Sequence, residues 1–229
     1  MKLLIDDANI NEIERLCDLY PIDGVTTNPS ILAKNGNDPV DTLCRIRKLI
    51  GKDKLLFVQT IPSNSEGIVE DAKAIVSLLG KDTVVKIPAA PEGFKAMKQL
   101  KKEGVTTCGT AVYAPMQAYL AMKSGASYIA PYVNRIDSMG YGGIETVRKM
   151  QDIIDSYGYE CEILAASFRN SQQVLELCEY GIAAATCSPS VIDGLCRNAS
   201  IDQAVENFHE EFEKAFGKGC TMKSLIKNK

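Results

Sequence analysis

The sequence predicts an α/β protein, a (β/α)8 TIM barrel in a single domain with an extra C-terminal helix. Short β-rich segments alternate with longer amphipathic segments along all 229 residues, and strict alternation implies a parallel sheet covered by helices. There are eight such strand–helix pairs, and no Ser/Gly/Pro-rich linker divides them. This number and this chain length are typical of a closed barrel. An open doubly wound sheet is the alternative, although it usually has fewer strands and often a glycine-rich first turn.

Each predicted strand is a short run rich in apolar and β-branched residues. In chain order the strands are residues 2–6, 24–28, 54–60, 83–88, 106–112, 127–133, 162–168 and 182–188. The segments between them have apolar residues at helical spacing, and glycine ends several of them, as is common just after a helix. The barrel is therefore predicted over residues 1–199.

One further helix is predicted at about residues 200–217, and no strand follows it. Its Glu and Phe residues indicate an amphipathic helix. We expect residues 200–229, which comprise this helix and a basic tail, to pack on the barrel or on a neighbouring subunit.

The composition is that of an ordinary globular protein, with 45% hydrophobic and 24% charged residues and a net charge of −3. This charge gives no basic field, so neither nucleic acid nor a membrane is an expected partner. The eight cysteines form no C-x-x-C pair and lie at apolar positions, where cysteine behaves as a small hydrophobe. Two aspartates directly follow the apolar start of MKLLIDDANI, so no signal peptide is predicted. The expected location is cytoplasmic.

The chain has a single histidine, His209, which lies in an acidic segment. This excludes a Ser–His–Asp triad, an H-E-x-x-H zinc helix and a multi-histidine metal site. Neither G-x-x-x-x-G-K-[ST] nor G-x-G-x-x-G occurs. No metal and no other cofactor is therefore expected, and the chemistry depends on lysine, carboxylate, tyrosine and hydroxyl groups.

Lys86 stands among apolar residues in the predicted fourth strand, TVVKIP. Lysine is rarely buried unless it is paired or functional. Alternation along the strand directs Val85 and Ile87 to the outer face, under the helices, and Lys86 into the barrel. Lys86 then lies near the carboxyl end of the strand, where barrel enzymes build their active sites.

Six other predicted strands end in polar residues, which a purely structural barrel does not require. They are Asp6; Thr26, Thr27 and Asn28; Gln59; Thr110; Tyr132, Asn134 and Arg135; and Ser167 and Arg169.

Taken singly, each of these residues also fits a structural role. Lys86 can extend its ammonium to solvent, Asp6 can cap a turn, and Tyr132 can be a core aromatic residue. Asn28, followed by proline, fits a helix start, and the arginines fit surface ion pairs. Their common placement at one end of the barrel favours a site.

A buried lysine has a specific chemistry. Removal from water favours the neutral amine, which attacks carbonyl carbon and forms a Schiff base. The protonated imine accepts electrons when a nearby C–C bond breaks. A proton carrier is also needed, and the candidates are Asp6 and Tyr132, with a water held by Gln59 and Thr110 as an intermediary.

At these residues the sequence resembles the transaldolase family, in particular its fructose-6-phosphate aldolase type. The resemblance covers nearly the whole chain. It depends on five segments in family order and spacing, which are GVTTNPS (24–30), VVKIP (84–88), GTAVY (109–113), APYVNRID (130–137) and AASF (165–168).

The resemblance implies a barrel in which Lys86 forms a Schiff base with a ketose and Asp6 handles a donor hydroxyl proton. Asn28, Thr110 and Ser167 match residues around the dihydroxyacetone portion. The expected substrate-binding residues are Thr26, Asn28, Asn134, Arg135, Ser167 and Arg169, of which Arg135 and Arg169 match the positions that bind the acceptor phosphate. Lysine is usual at the second of these positions.

Gln59 and Tyr132 match the aldolase type, since transaldolases carry glutamate and typically phenylalanine there. The expected function is reversible cleavage of fructose 6-phosphate or a close analogue to dihydroxyacetone and glyceraldehyde 3-phosphate. Transfer of a dihydroxyacetone unit between sugar phosphates or sulfonated sugars is the alternative, and a non-catalytic sugar-phosphate-binding barrel is a remote one. The resemblance also implies a ring-like homo-oligomer, for which a decamer is one arrangement.

Overall fold

A computed structural model describes residues 1–227, and eight parallel strands form a closed barrel at its centre. The strands are β1 (Lys2–Asp6), β2 (Gly24–Thr26), β3 (Leu55–Gln59), β4 (Thr83–Pro88), β5 (Thr107–Val112), β6 (Tyr128–Pro131), β7 (Glu162–Ala165) and β8 (Ala184–Cys187). Each strand pairs with the next one along the chain, and β8 pairs with β1. This arrangement confirms the predicted TIM barrel and is not the open sheet.

The helices lie between successive strands and after the last one. They are α1 (Ile10–Leu19), α2 (Pro29–Asn35), α3 (Pro39–Ile50), α4 (Ser65–Leu79), α5 (Pro91–Lys102), α6 (Pro115–Lys123), α7 (Val133–Ser138), α8 (Gly143–Tyr157), α9 (Ser171–Tyr180), α10 (Pro189–Cys196), α11 (Ala199–Phe216) and α12 (Met222–Lys227). Two helices follow β2 and two follow β6, so the connections vary in length.

The helices that follow the strands begin at residues suited to a helix start. Asn9, Asn28, Asn64 and Asn170 each accept a backbone N–H of the first turn of the following helix through their side-chain oxygen. Proline is the first residue of α2, α3, α5 and α6. Proline has no N–H, and at this position an N–H would have no acceptor within the helix, so no hydrogen bond is lost. Because these helices begin so soon, several strands are shorter at their carboxyl ends than predicted.

The buried centre of the barrel interior takes one apolar side chain from each of seven strands. These residues are Leu4, Phe57, Val84, Cys108, Ala130, Leu164 and Ala184. The ring of Phe57 meets the edge of Tyr128 with centroids 5.1 Å apart. On the remaining strand, Gly24 is required by the close approach of β3, because a Cβ atom there would lie 2.4 Å from the carbonyl oxygen of Leu55.

The alternation along β4 is as predicted. Val85 and Ile87 are fully buried in the apolar layer between the strands and the helices, whereas Val84 belongs to the barrel interior. Lys86 is on the same side of the strand as Val84 and is 3% exposed. The strand therefore supports the lysine with apolar packing on both faces.

The chain forms two compact units, Met1–Gly194 and a second that begins at Leu195. The second contains α11, which lies within one residue of the predicted extra helix. None of its residues is buried, and Phe208 is 68% exposed. The packing of this helix remains a prediction, and part of the basic tail lies outside the described residues. Within residues 1–227, no helix is both long and apolar enough to cross a membrane.

Candidate active site

A cavity of about 260 Å³ opens at the carboxyl end of the barrel, where several strand ends and the first turns of α2 and α7 meet. Six of the sequence-predicted site residues line it, together with four others. The lining residues are Asp6, Asn28, Ser30, Ile31, Lys34, Lys86, Tyr132, Arg135, Ala166 and Ser167.

Lys86 supplies the amine at the base of this cavity. Its Nζ donates to the backbone carbonyl oxygen of Thr27 at 2.9 Å. Among the described residues it forms no ion pair with a carboxylate. A neutral amine can make the same hydrogen bond, so this environment fixes the position of the nitrogen without requiring that it stay charged. Such a nitrogen is suited to attack a carbonyl carbon.

The Asp6 carboxyl is held by a chain of two hydroxyl groups. Thr26 Oγ1 donates to Asp6 Oδ1 at 2.6 Å, and Thr26 Oγ1 and Thr186 Oγ1 are also 2.6 Å apart. Because Thr26 has one hydroxyl proton, Thr186 must be the donor when Thr26 donates to Asp6. Burial raises the pKa of the Asp6 carboxyl, while the nearby Lys86 and the hydrogen bond from Thr26 oppose that rise. Asp6 is therefore suited to exchange a proton at a pH above the usual range of a carboxyl group.

We expect Thr26→Val to shift the acid limb of the pH–activity profile upward by about one pH unit. The Thr26 hydroxyl stabilises the carboxylate form of Asp6 through its hydrogen bond. A hydrogen bond to a charged group contributes ~1.5–3 kcal/mol. One unit of pKa corresponds to ~1.4 kcal/mol. Loss of the hydrogen bond from Thr26 raises the Asp6 pKa, so more carboxyl is protonated at a given low pH. Profiles of kcat/KM between about pH 5 and 9 measure the shift.

The matched control for this prediction is Thr107→Val. Thr107 is fully buried on β5, and its hydroxyl has no hydrogen-bond partner in the described structure. This equally conservative change should leave the acid limb where it is. An unshifted profile in Thr26→Val would show that Thr26 does not control the Asp6 carboxyl.

Tyr132 lines the cavity, and its side chain has three neighbours that fix it. Its oxygen lies 3.2 Å from Thr110 Oγ1, and its ring meets that of Tyr113 edge to face at 5.5 Å. The guanidinium of Arg135 lies 4.4 Å from the centre of the Tyr132 ring. A hydrogen bond with Tyr113 raises the pKa of Arg135, which remains a cation. The hydroxyl is thus positioned to give or take a proton near Lys86.

Two residues beside the site have positive φ angles without being glycine. Ala111 has φ 55° and Ser167 has φ 62°, a region that costs energy for residues with a Cβ atom. The pairing of β5 with β6 shifts register between Gly109 and Val112, across the Ala111 position. The Ser167 carbonyl accepts the N–H of Asn134 at 2.8 Å. The irregular end of β5 directs the Thr110 side chain toward Tyr132. The irregular backbone after β7 directs Ser167 toward the cavity.

The other five predicted residues are not in the lining of this cavity. Thr26 and Thr110 are fully buried and act through their hydrogen bonds to Asp6 and Tyr132. Gln59 pairs in register with Lys86 on the neighbouring strand. The backbone N–H of Asn134 donates to the carbonyl oxygen of Ser167. Arg169 is exposed, and its backbone N–H donates to Gln173.

Asn28 has both roles considered for it. Its side-chain oxygen accepts the N–H of Ile31 and so caps α2, and the residue also lines the cavity. The cap fixes the direction of α2, which brings Ser30 and Lys34 to the same cavity.

Sequence reasoning missed Lys34 and Thr186. Lys34 lies one helical turn after Ser30 and so shares its helix face. Thr186 lies two residues after the inward-facing Ala184 on β8 and so shares the inward face. Helical spacing from the Asn28 cap and the alternation along β8 are the signals that point to them.

Cys108 pairs with Lys86 across β4 and β5 and packs inside the barrel. Burial raises the pKa of this thiol to about 12, so it stays protonated and is a poor nucleophile.

A larger groove, of about 580 Å³, lies outside the barrel between α2, α3 and α4, and its lining is mostly apolar. Its lining includes Gln59 but neither Lys86 nor Asp6, so the smaller polar cavity is the better candidate for catalysis.

Two comparisons bear on this site. Residues 3–229 match the model of the transaldolase/fructose-6-phosphate aldolase family. A solved structure described as "Native KDPGal structure" is similar with a TM-score of 0.58 and 13% sequence identity, over 82% of each chain. At this identity the second match supports the barrel fold alone. The family match spans essentially the whole chain and includes every strand end that contributes to the cavity, so the protein belongs to the transaldolase/fructose-6-phosphate aldolase family.

Proposed function

We propose that the protein is a Schiff-base aldolase that reversibly cleaves fructose 6-phosphate, or a close analogue, to dihydroxyacetone and glyceraldehyde 3-phosphate. Family membership supports aldolase or transaldolase chemistry. The observation that carries the finer proposal is the Tyr132 hydroxyl, which lines the cavity of Lys86 and is held by Thr110 at 3.2 Å. A proton donor in this place allows the bound three-carbon unit to leave without a second aldehyde.

The first step is attack by the Lys86 nitrogen on the ketone carbon C2 of the sugar. Loss of water from the resulting carbinolamine gives a protonated imine. The hydrogen bond from Lys86 Nζ to the Thr27 carbonyl and the burial of this residue, which is 3% exposed, fix the nitrogen for this attack. The Tyr132 hydroxyl supplies the proton that leaves with the water.

Cleavage then breaks the bond between C3 and C4. Asp6 accepts the proton of the C4 hydroxyl, C4 becomes the aldehyde carbon, and the electron pair of the broken bond moves through C3 and C2 to the imine nitrogen. The raised pKa of Asp6 brings this carboxyl closer to neutral pH, where a general base works best. The products are an aldehyde and an enamine attached to Lys86.

Release of the donor requires a proton at C3 of the enamine, followed by hydrolysis of the imine. Tyr132, reprotonated from solvent after the dehydration step, delivers this proton, with Thr110 keeping its hydroxyl in place, and Asp6 returns the C4 hydroxyl proton to solvent. Water then adds to C2 and frees dihydroxyacetone and the Lys86 amine. A site without this acid would hold the enamine until a second aldehyde arrived, which is the transaldolase reaction.

A comparison of one-substrate and two-substrate reactions tests the proposal. Fructose 6-phosphate alone should yield free dihydroxyacetone, detected by coupled reduction, and treatment with EDTA should leave the rate unchanged because no metal takes part. Transfer to erythrose 4-phosphate with no release of dihydroxyacetone would contradict the aldolase assignment. Borohydride trapping does not separate the two reactions, since both use the same imine.

A further inference from the structure

We propose that Lys34 determines specificity for anionic substrates by binding the substrate phosphate together with Arg135. This inference deepens the proposed function and rests on it. The Lys86 cavity has three cationic residues and one carboxyl residue in its lining, namely Lys34, Lys86, Arg135 and Asp6. Since Lys86 is used covalently, Lys34 and Arg135 are the two cations left for an anion.

Lys34 is available for this role. It lies in the last turn of α2, its side chain is exposed, and among residues 1–227 it forms no ion pair. Its flexible four-carbon stem can bring the ammonium to a ligand whose position is set elsewhere. Arg135, by contrast, has its guanidinium placed over the Tyr132 ring.

The charge of a phosphate group requires more than one cation. A phosphate monoester carries a charge of about −1.5 to −2 at pH 7, so Arg135 alone leaves part of it uncompensated. Arg169, which the family resemblance suggests for this task, is exposed and does not line the cavity. Lys34 lines it and supplies the missing charge.

The surroundings of Lys34 also favour one direction for the anion. Lys34, Asp6 and Ile31 are shared with a second recess of about 440 Å³, which Asp7, Asn9, Asn35 and Ser188 complete. Asp6 lines both spaces, whereas Asp7 adds a second carboxyl group to the recess alone and makes it less favourable for phosphate than the cavity. An anion near Lys34 is therefore directed toward Arg135, and the recess is left to uncharged hydroxyl groups.

The test measures aldol addition of dihydroxyacetone to two acceptors, glyceraldehyde 3-phosphate and uncharged glyceraldehyde. Lys34→Gln should raise KM for the phosphorylated aldehyde about 5- to 10-fold, as expected for loss of one charge-assisted contact at an open site. Its kcat, and both constants for glyceraldehyde, should change less than about twofold, because the contact is made equally in the ground and transition states. Lys34→Arg should restore most of the affinity.

The matched control is Lys48→Gln. Lys48 is also an exposed lysine in the last turn of a helix, α3, and it does not line the cavity. Its KM for both aldehydes should equal that of the wild type. An unchanged KM ratio in Lys34→Gln, or a ratio that changes only in Arg169→Gln, would overturn the proposal.

A binding measurement separates failure of this inference from failure of the proposed function. In Lys86→Met, which cannot form the imine, calorimetry compares fructose 6-phosphate with fructose. Adding Lys34→Gln should weaken binding of fructose 6-phosphate about 5- to 10-fold and leave fructose unchanged. Equal binding of fructose 6-phosphate with and without Lys34 would overturn the role of Lys34, whatever reaction the enzyme catalyses.

Discussion

Replacement of Lys86 by methionine should reduce turnover by about 10⁴-fold or more, because the nucleophile that forms the covalent intermediate is lost. Methionine has a similar length and no nucleophilic nitrogen. The variant should still fold, since Lys86 is 3% exposed and its neighbours Val85 and Ile87 are fully buried in the apolar layer. The Thr27 carbonyl loses one hydrogen-bond donor, at a cost of ~1–3 kcal/mol, which burial of an apolar side chain partly offsets.

The measurement compares cleavage and transfer rates with thermal unfolding of the same preparations. Lys48→Met, which changes an exposed lysine of α3, should behave as the wild type in all three. If Lys86→Met kept more than about a hundredth of the wild-type rate, catalysis would not require this amine, and an imine on Lys86 would be excluded as the essential intermediate.

Replacement of Tyr132 by phenylalanine should reduce the release of dihydroxyacetone by about 10²- to 10⁴-fold, which is the usual contribution of a general acid or base. Transfer to an added aldehyde should fall less, because an aldehyde can take the enamine without the proton from Tyr132. The ring contacts with Tyr113 and Arg135 do not involve the hydroxyl and are retained. Stability should fall by only ~1 kcal/mol, since the buried Thr110 hydroxyl loses one partner.

Tyr128→Phe is the control for this variant. Tyr128 begins the same strand, and its half-buried ring packs on Phe57 away from the cavity. Loss of its hydroxyl should leave both reactions unchanged. Equal losses of cleavage and transfer in Tyr132→Phe would show that Tyr132 acts only in imine formation, before the two reactions diverge, and would contradict its role in the release of dihydroxyacetone.

The sequence predicts the barrel well because hydrophobic alternation and helix-start residues are local signals. β1 and β4 lie where the period-two pattern places them. The predicted β2 (24–28) is too long, because the strand ends at Thr26 and Asn28 caps α2 instead of pairing with β3. β6 is shorter for a similar reason, since Tyr132 directly precedes α7.

The site is predicted less completely, because contacts across the barrel depend on register. The inward position of Lys86 follows from alternation alone, whereas the link from Asp6 to Thr186 requires β1 to lie between β2 and β8. Lys34 illustrates a second limit. It lies on α2 and not at a strand end, and the direction of α2, fixed by the Asn28 cap, brings it to the cavity.

Backbone irregularity sets a third limit. The positive φ angle of Ala111 has no sequence signal, since alanine seldom adopts it. The exposed position of Arg169, two residues after Ser167, depends in the same way on the positive φ angle of Ser167 and on the bond of the Arg169 N–H to Gln173. The order of residues alone does not determine where the side chains near these positive φ angles point.

The most direct test is to locate the covalent adduct. The protein is incubated with dihydroxyacetone, reduced with borohydride, digested and analysed by mass spectrometry. The peptide that contains Lys86 should gain the mass of one reduced three-carbon unit, and Lys86→Met should gain none. An unmodified Lys86 peptide in an active preparation, or the adduct on another lysine, would contradict the assignment of Lys86 as the Schiff-base residue.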